Sequence, residues 1–402
     1  MNWKEFAKKL SILRSINAKL KCYKLKRNQA NLARDYDAKA SNRGVDYSED
    51  QAINEFKNRH ISRCPGHSPA ALGALRVFWV GTNQSQDESG FLQALHRIAK
   101  VTVFHNIEGE YGIWSGNEAT SLAEIRQAND QELMKQIEEA RSKDGVDVLL
   151  GQMWAGRISK EVLVQVQELG IPVINIAMDD RLPVHWSWRN GVRMGSIGLK
   201  TGVDIVLTTS SETCLWYAVE GCPAIYWPLA SDPSIFAPDE EVVRNIDVLF
   251  IGNRYGIRGK IVDHLERHGI LVSCYGAGWP NGYANAEKCA ALSKRARIIL
   301  GIGTVGHCHD VYTLKLRDFD ALMTGALYVT HRNPDLGQLF MEGQEFECYD
   351  TMGEAVSKIR YYLAHAEARE RIGLAGQQKS ISRDTWDNRL ATTFRQLGLL
   401  QF

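Results

Sequence analysis

Lys315-Leu316-Arg317-Asp318-Phe319-Asp320-Ala321-Leu322-Met323-Thr324-Gly325-Ala326-Leu327-Tyr328-Val329-Thr330 is the stretch whose reading decides the fold. Leu316, Phe319, Leu322 and Met323 recur at three- and four-residue spacing, the pattern of one apolar helix face. Gly325 stands where a left-handed cap would end that helix, and Ala326–Thr330 then reads as a short buried strand. Just upstream runs a glycine-rich loop, Gly301-Ile302-Gly303-Thr304-Val305-Gly306. A helix start beside such a loop favours anions, because unpaired backbone N–H groups and the helix dipole act in the same direction. Lys315 or Arg317 would add charge and donors for phosphate. Asp320, one turn on, can accept from a sugar hydroxyl pair. Asp318 lies roughly 200° round the helix from Asp320 and serves as its same-helix control. The competing reading is a solvated helix face with an ordinary charge mix.

The run from Asp320 to Gly325, the strand after it, then Asn333-Pro334-Asp335-Leu336 and Leu339-Phe340, resembles the nucleotide-sugar-binding domain of GT-B glycosyltransferases. The likeness is nearest to the spore-protein-type branch of the family-1/4-like glycosyltransferases. It covers the second half of the chain well and the first half loosely. The resemblance implies that Asp320 holds the nucleotide ribose, and that Lys315 or Arg317, with Arg258, holds the diphosphate. It also implies a hinge at Asp232–Pro238. One departure stands out. Many retaining members carry a second acid eight positions before the first, which here is Tyr312; Asp310 lies two residues earlier. Retention and inversion therefore both stay open.

The whole chain is compatible with that architecture. Its 402 residues suggest two domains plus additions. An apolar content of 44% with 24% charged residues is ordinary for a globular protein, and a net charge of +1 does not suggest a nucleic-acid binder. The eight cysteines form no Cys-x-x-Cys pair and read as reduced core thiols of a cytoplasmic protein. No apolar run reaches the ~18 residues of a membrane span, and the N-terminus lacks a signal-peptide pattern.

Residues 1–63 read as a basic helical extension. Up to Ala30 it carries nine basic residues, Lys4, Lys8, Lys9, Arg14, Lys19, Lys21, Lys24, Lys26 and Arg27, against the single acid Glu5. Trp3, Phe6, Leu10, Leu13 and Leu20 fall near one face, with Ile16 beside it. That pattern fits a helix lying on an anionic membrane surface, or one packed on its own protein with lysines outward. The expected location is cytoplasmic, with peripheral contact to the inner face of the membrane.

Residues 70–227 read as an N-terminal acceptor-binding α/β domain. Strands are expected at 76–80, 101–104, 147–150, 171–176 and 204–208, alternating with helices as in a parallel sheet. Active groups of such sheets gather at the carboxyl ends of the strands. That picks out Asp87, Glu88, Asp179, Asp180 and His185 as candidate bases, the last three ranked first as catalytic residues. Each also suits a cap, a turn or a surface charge. Trp186 and Trp188 would stack on a sugar or serve as core. Residues 223–244 read as a linker between domains.

A second α/β domain, 245–380, would hold the donor. Its strand 247–252 ends in Gly252-Asn253, followed by Arg258; strand 270–275 ends in Tyr275-Gly276; strand 297–301 runs into Gly303 and His307. Trp279 would stack on a base or pack as a lid. His307-Cys308-His309-Asp310 lacks a second ligand cluster, so neither metal nor cofactor is expected. Residues 381–402 would form a helix crossing back to the first domain, anchored by Trp386 and Phe394.

The expected protein is thus an α/β chain of the GT-B class, two Rossmann-like domains facing a cleft with a helical extension in front. Its expected activity is metal-independent transfer of a sugar from a nucleotide-sugar to a hydroxyl of a glycan, lipid-linked or protein acceptor. The alternative is a non-catalytic nucleotide-sugar-binding structural or assembly protein.

Overall fold

The computed structural model describes residues 3–238 and 242–402, with side chains from residue 16 onward. The chain forms two compact units, Tyr36–Ala237 with Lys379–Phe402, and the residues up to Asp35 with Pro238–Gln378. The N-terminal helical segment is divided between them. Its long helix α1 (Trp3–Arg43) belongs to the second unit up to Asp35, and α2 (Glu49–Arg63) belongs to the first.

In the first unit follow β1 (Leu75–Val80), α3 (Gln84–Asp87), α4 (Phe91–Ile98), β2 (Ala99–Val103), α5 (Leu122–Lys143), β3 (Val148–Gly151), α6 (Lys160–Glu168) and β4 (Val173–Ala177). A two-residue hairpin, β5 (Trp188–Arg189) and β6 (Val192–Arg193), precedes β7 (Ile205–Thr208), α7 (Ser211–Val219), β8 (Ala224–Tyr226) and α8 (Pro233–Phe236). Six strands form one parallel sheet in the order β2-β1-β3-β4-β7-β8. Its inner strands β3, β4 and β7 are buried throughout, as expected of a sheet covered on both faces.

The second unit holds β9 (Ile246–Ile251), α9 (Arg258–Arg267), β10 (Ser273–Tyr275), α10 (Ala286–Lys294), β11 (Ala296–Gly301), α11 (Leu316–Met323), β12 (Leu327–His331), α12 (Pro334–Leu339), β13 (Glu347–Tyr349), α13 (Met352–Ala364) and most of α14 (Ala366–Arg383). Its five strands pair in parallel in the order β10-β9-β11-β12-β13. The last helix, α15 (Trp386–Gln396), packs on α4 of the first unit, with Trp386 against the rings of Phe91 (5.2 Å) and Trp227 (5.5 Å).

Two readings of the sequence need correction. Residues 223–244 are not simply a linker, since they contain β8 and α8, and Trp227 donates from Nε1 to Thr393 at 2.9 Å within the core. Of the apolar face expected on α1, the two described members, Ile16 and Leu20, are not packed inward. Half-buried Ala18, Cys22, Leu25, Gln29 and Leu32 lead to buried Tyr36 and Ala40, whereas Ile16 and Leu20 face solvent. The inward stripe is only weakly apolar, so hydrophobic periodicity does not single it out. The side chains of Trp3, Lys4, Glu5, Phe6, Lys8, Lys9, Leu10, Leu13 and Arg14 lie outside the described residues.

Candidate functional site

In an open parallel sheet the crevice for a ligand lies where consecutive connections leave one strand in opposite directions. In the second sheet that point falls between β9, which connects to β10 on one side, and β11 on the other. The loops leaving β9 and β11 touch there. Ile257 donates its backbone N–H to Gly306 O at 2.9 Å, and Gly256 is so close to Gly306 that no side chain fits. The β9 loop is also tied to the β10 loop. Gly252 N donates to Tyr275 O at 2.7 Å, Asn253 Oδ1 accepts from Ala277 N at 2.9 Å, and a Cβ at Gly276 would stand 2.6 Å from the Gly252 carbonyl. Gly252, Asn253, Tyr275 and Gly276 therefore form one framework, joined to the β11 loop, which carries Gly303, at Gly306.

Arg258, the first residue of α9, and Arg317, in the first turn of α11, meet over that framework. A Cβ at Gly252 would collide with Arg317 Nη2 and stand 3.2 Å from Arg258 Nη1. The Arg317 guanidinium lies 4.9 Å from the Phe250 ring centre; that of Arg258 lies 4.2 Å from the Tyr255 ring. Apart from one bond of Arg258 Nη1 to Asn253 O at 3.1 Å, the pair is little engaged. Arg258 Nε and Arg317 Nε and Nη1 are buried without a hydrogen-bond partner, and neither arginine makes an ion pair among the described residues. Burial, then the neighbouring Arg317 charge, pulls the Arg258 pKa down to about 10. Two close like charges with unused donors are costly in the absence of an anion. The Thr304 and Thr313 hydroxyls, on the loop after β11, are likewise buried and unpartnered.

The other donor-side candidates separate. His307 is exposed at the tip of the β11 loop, and Lys315 and Asp320 are half-buried on α11. Asp318 is fully engaged: it accepts from Lys315 N at 2.7 Å and from the Tyr328 hydroxyl, so it is a structural cap and unsuitable as a control. Trp279 is no open platform, because it is buried, donates to Gly252 O at 2.7 Å and lies under Arg254. Asp310 is ion-paired with Lys26 of α1. Among the described residues no group of three or more His, Cys, Asp or Glu is arranged to hold a metal.

In the first unit, Asp179 follows β4 with φ 59°, a left-handed conformation that non-glycine residues rarely adopt. It lies within electrostatic range of His185, whose pKa burial lowers and Asp179 raises. Both are half-buried. Asp180 is 1% exposed, accepts from the Tyr217 hydroxyl at 2.7 Å, and is pushed up to about 7 by burial against the pull of Tyr217 and Thr208. A carboxyl so enclosed has no path to an acceptor, which leaves Asp179 and His185. Trp186 is core, while Trp188 is 69% exposed on the hairpin. Asp87 is held by the Tyr111 hydroxyl at 2.7 Å, which in turn accepts from Trp79 Nε1 at 2.7 Å; burial raises Asp87 to about 6. Glu88 is exposed. Sequence reasoning missed Phe250, Thr304 and Thr313. Only Thr304, inside the glycine loop, offered a signal.

Residues 258–395 match the family described as glycosyl transferase-like. No curated protein sequence matches the chain. Among solved structures, the chain is similar to sucrose-phosphate synthase from Thermosynechococcus elongatus (12% identity, TM-score 0.56, 81% of this chain and 99% of that one). It is similar also to the Anabaena protein HepE in complex with UDP-glucose (11% identity, TM-score 0.56, 80% and 100%). A third is AviGT4, a glycosyltransferase involved in avilamycin A biosynthesis (14% identity, TM-score 0.51, 81% and 97%). At these identities the likeness is one of fold. Two parallel α/β sheets of Rossmann type give the chain the GT-B architecture, and within it residues 258–395 match the glycosyl transferase-like family.

Proposed function

We propose that the protein transfers a sugar from a nucleotide-sugar to an acceptor hydroxyl, and that the donor diphosphate lies at the arginine pair. The observation that carries this reading is the meeting of Arg258 and Arg317 over Gly252, with buried donors that no protein group uses. Charge on a diphosphate leaving group grows as the sugar bond breaks, so preorganised cations there stabilise the transition state. Two guanidiniums can do this with no divalent ion, hence the proposed metal independence. Lys315, His307 and the loop N–H groups near Gly303 complete the donor set, and Asp320 takes the ribose. The solved complex of HepE with UDP-glucose supports a uridine nucleotide as the first donor to try.

On the acceptor side, Asp179 and His185 are the proposed bases of an inverting reaction, with Trp188 as a sugar platform. The acceptor is a glycan, lipid-linked or protein hydroxyl. A lipid-linked acceptor fits the outward face of α1. There Ile16, Leu20 and Tyr23, 49%, 53% and 62% exposed, lie one above another beside Lys19, Lys24 and Arg27, suiting an anionic membrane surface. No helix among the described residues is long and apolar enough to cross a membrane.

The test is calorimetry with a panel of nucleotide-sugars, followed by nucleotide release with and without acceptors and with a chelator. Binding with release supports transfer. Binding without release under any acceptor would favour the non-catalytic alternative, and loss of activity on chelation would overturn metal independence.

A further inference from the structure

About a fifth of this chain has no counterpart in the solved structures it resembles, which align over nearly their full lengths to 80–81% of it. Helix α1 is the part of the N-terminal extension that reaches the donor side. Cys22, on its half-buried stripe, and Lys26 stand one turn apart. Lys26 is ion-paired with Asp310, and Cys22 lies within electrostatic range of Cys308, which is only 1% exposed. Both partners belong to one loop, the segment between β11 and α11. That loop is closed on itself by Val305 N to Val311 O (2.7 Å) and Thr313 N to Gly303 O (3.3 Å). At its tip, Gly306 O accepts from Ile257 N at 2.9 Å, and the next residue is Arg258. An unbroken chain of contacts thus runs from α1 through residues 308–310 and Gly306 to the arginine pair.

We propose that α1 is a positioning element of the nucleotide-sugar site, with Lys26 and Cys22 fixing the 303–313 loop and, through Gly306, the start of α9 that carries Arg258. This rests on the donor reading above. Lys26 and Asp310 are 44% and 57% exposed, so their ion pair contributes little to overall stability. What it supplies is the register of the loop against the helix. Asp310 nearest matches the acid that the departure at Tyr312 leaves unfilled, and here its carboxylate is turned to this structural use.

The test uses the full chain, with UDP and UDP-glucose as probes. Lys26→Glu places a like charge against Asp310 and is expected to weaken UDP binding by about threefold to tenfold, the scale of one exposed charge contact and its reversal. The thermal midpoint should hold, and the double swap Lys26→Glu with Asp310→Lys should restore affinity. Lys21→Glu, exposed on the same helix, makes the same change in net charge and should leave UDP binding unchanged. Equal UDP affinity in wild type and Lys26→Glu would overturn this inference alone, as would a matching loss in Lys21→Glu or no rescue by the swap. Wild type that binds neither probe would overturn the nucleotide-sugar reading, and this inference with it.

Discussion

The two sheets present the same feature in opposite states at their carboxyl edges. In the first, the switch point between β1 and β3 is filled by the protein itself. A Cβ at Gly81 would stand 2.6 Å from Asp87 Oδ2 and collide with the Tyr111 hydroxyl, and Asp87, Tyr111 and Trp79 satisfy one another in series. In the second, the equivalent position faces two guanidiniums whose buried nitrogens lack partners. A satisfied buried polar group holds structure, because removing its partner costs the full desolvation penalty. A pair of unsatisfied like charges is costly until an anion arrives. At its switch point the first edge is filled by its own side chains, and the second leaves the donors that the proposed donor site would use.

The largest expected effect tests the structural side. Burial raises Asp180 to about 7 in the folded chain, against an ordinary value of 3.8. The fold therefore binds its proton more tightly than the unfolded chain does. The stabilisation is complete below pH ~4 and is lost as pH rises through ~7, by an order of ~4 kcal/mol. Urea unfolding from pH 4 to 8 should show wild type losing stability relative to Asp180→Asn across that window. His60, which burial pulls down to about 4, works in the opposite direction but is common to both proteins and cancels in the difference. A constant gap between the two proteins would mean that Asp180 is not a buried, protonated acid.

The next effects belong to the ligand edge. Arg317→Ala should lower turnover more than donor affinity, and Arg258→Ala should lower both, each by roughly 1.5–3 kcal/mol, or about tenfold to a hundredfold. Steady-state kinetics across a donor titration separates these outcomes. Asp320→Ala should act mainly on KM, since a ribose contact is alike in ground and transition states, by about tenfold. Asp318→Ala should instead lower the thermal midpoint, because it removes a buried cap that also holds Tyr328. If Asp318→Ala leaves stability intact and only weakens donor binding, the division between the two acids fails.

Those two acids also mark how far the sequence could be read. Most strands announced themselves as apolar runs, because both faces of a parallel sheet are covered. β8 was missed because three residues between prolines look like a linker. The spacing of Asp318 and Asp320 fixed them on different sides of α11, yet not which side faced the core, since Leu316, Phe319, Leu322 and Met323 allow some rotation. Arg258 and Arg317 were legible as phosphate candidates, by resemblance and by position beside a glycine loop. Their meeting over Gly252 was not, because it joins two loops about sixty residues apart in sequence. Trp279 and Trp186 were ambiguous for the same reason: burial is a property of the packed fold, and one aromatic suits a core and a platform equally. The contact of the 303–313 loop with α1 had no signal, since Cys22 and Lys26 stand on or beside a stripe of that helix that is only weakly apolar.

The smallest expected effect concerns that outward face. Vesicles rich in anionic lipid should co-sediment the full chain at low salt, with each Lys or Arg near the surface contributing on the order of 1 kcal/mol. Binding should fade as salt screens the charges. Replacing Leu20 and Tyr23 with Ser should weaken sedimentation while leaving UDP affinity unchanged. Equal sedimentation of wild type and variant would remove α1 from any membrane role.

The contrast between the two edges rests on whether the arginine pair is costly without ligand and useful with it. Thermal unfolding of wild type and Arg317→Met, each with and without saturating UDP, measures both at once. Methionine keeps the apolar stem over Phe250 and removes the charge. The variant without UDP should be at least as stable as wild type, because a buried like-charge contact is gone, and the rise in midpoint caused by UDP at the same concentration should be smaller than in wild type. A variant that is less stable without UDP, yet keeps the full UDP-induced rise, would contradict the account.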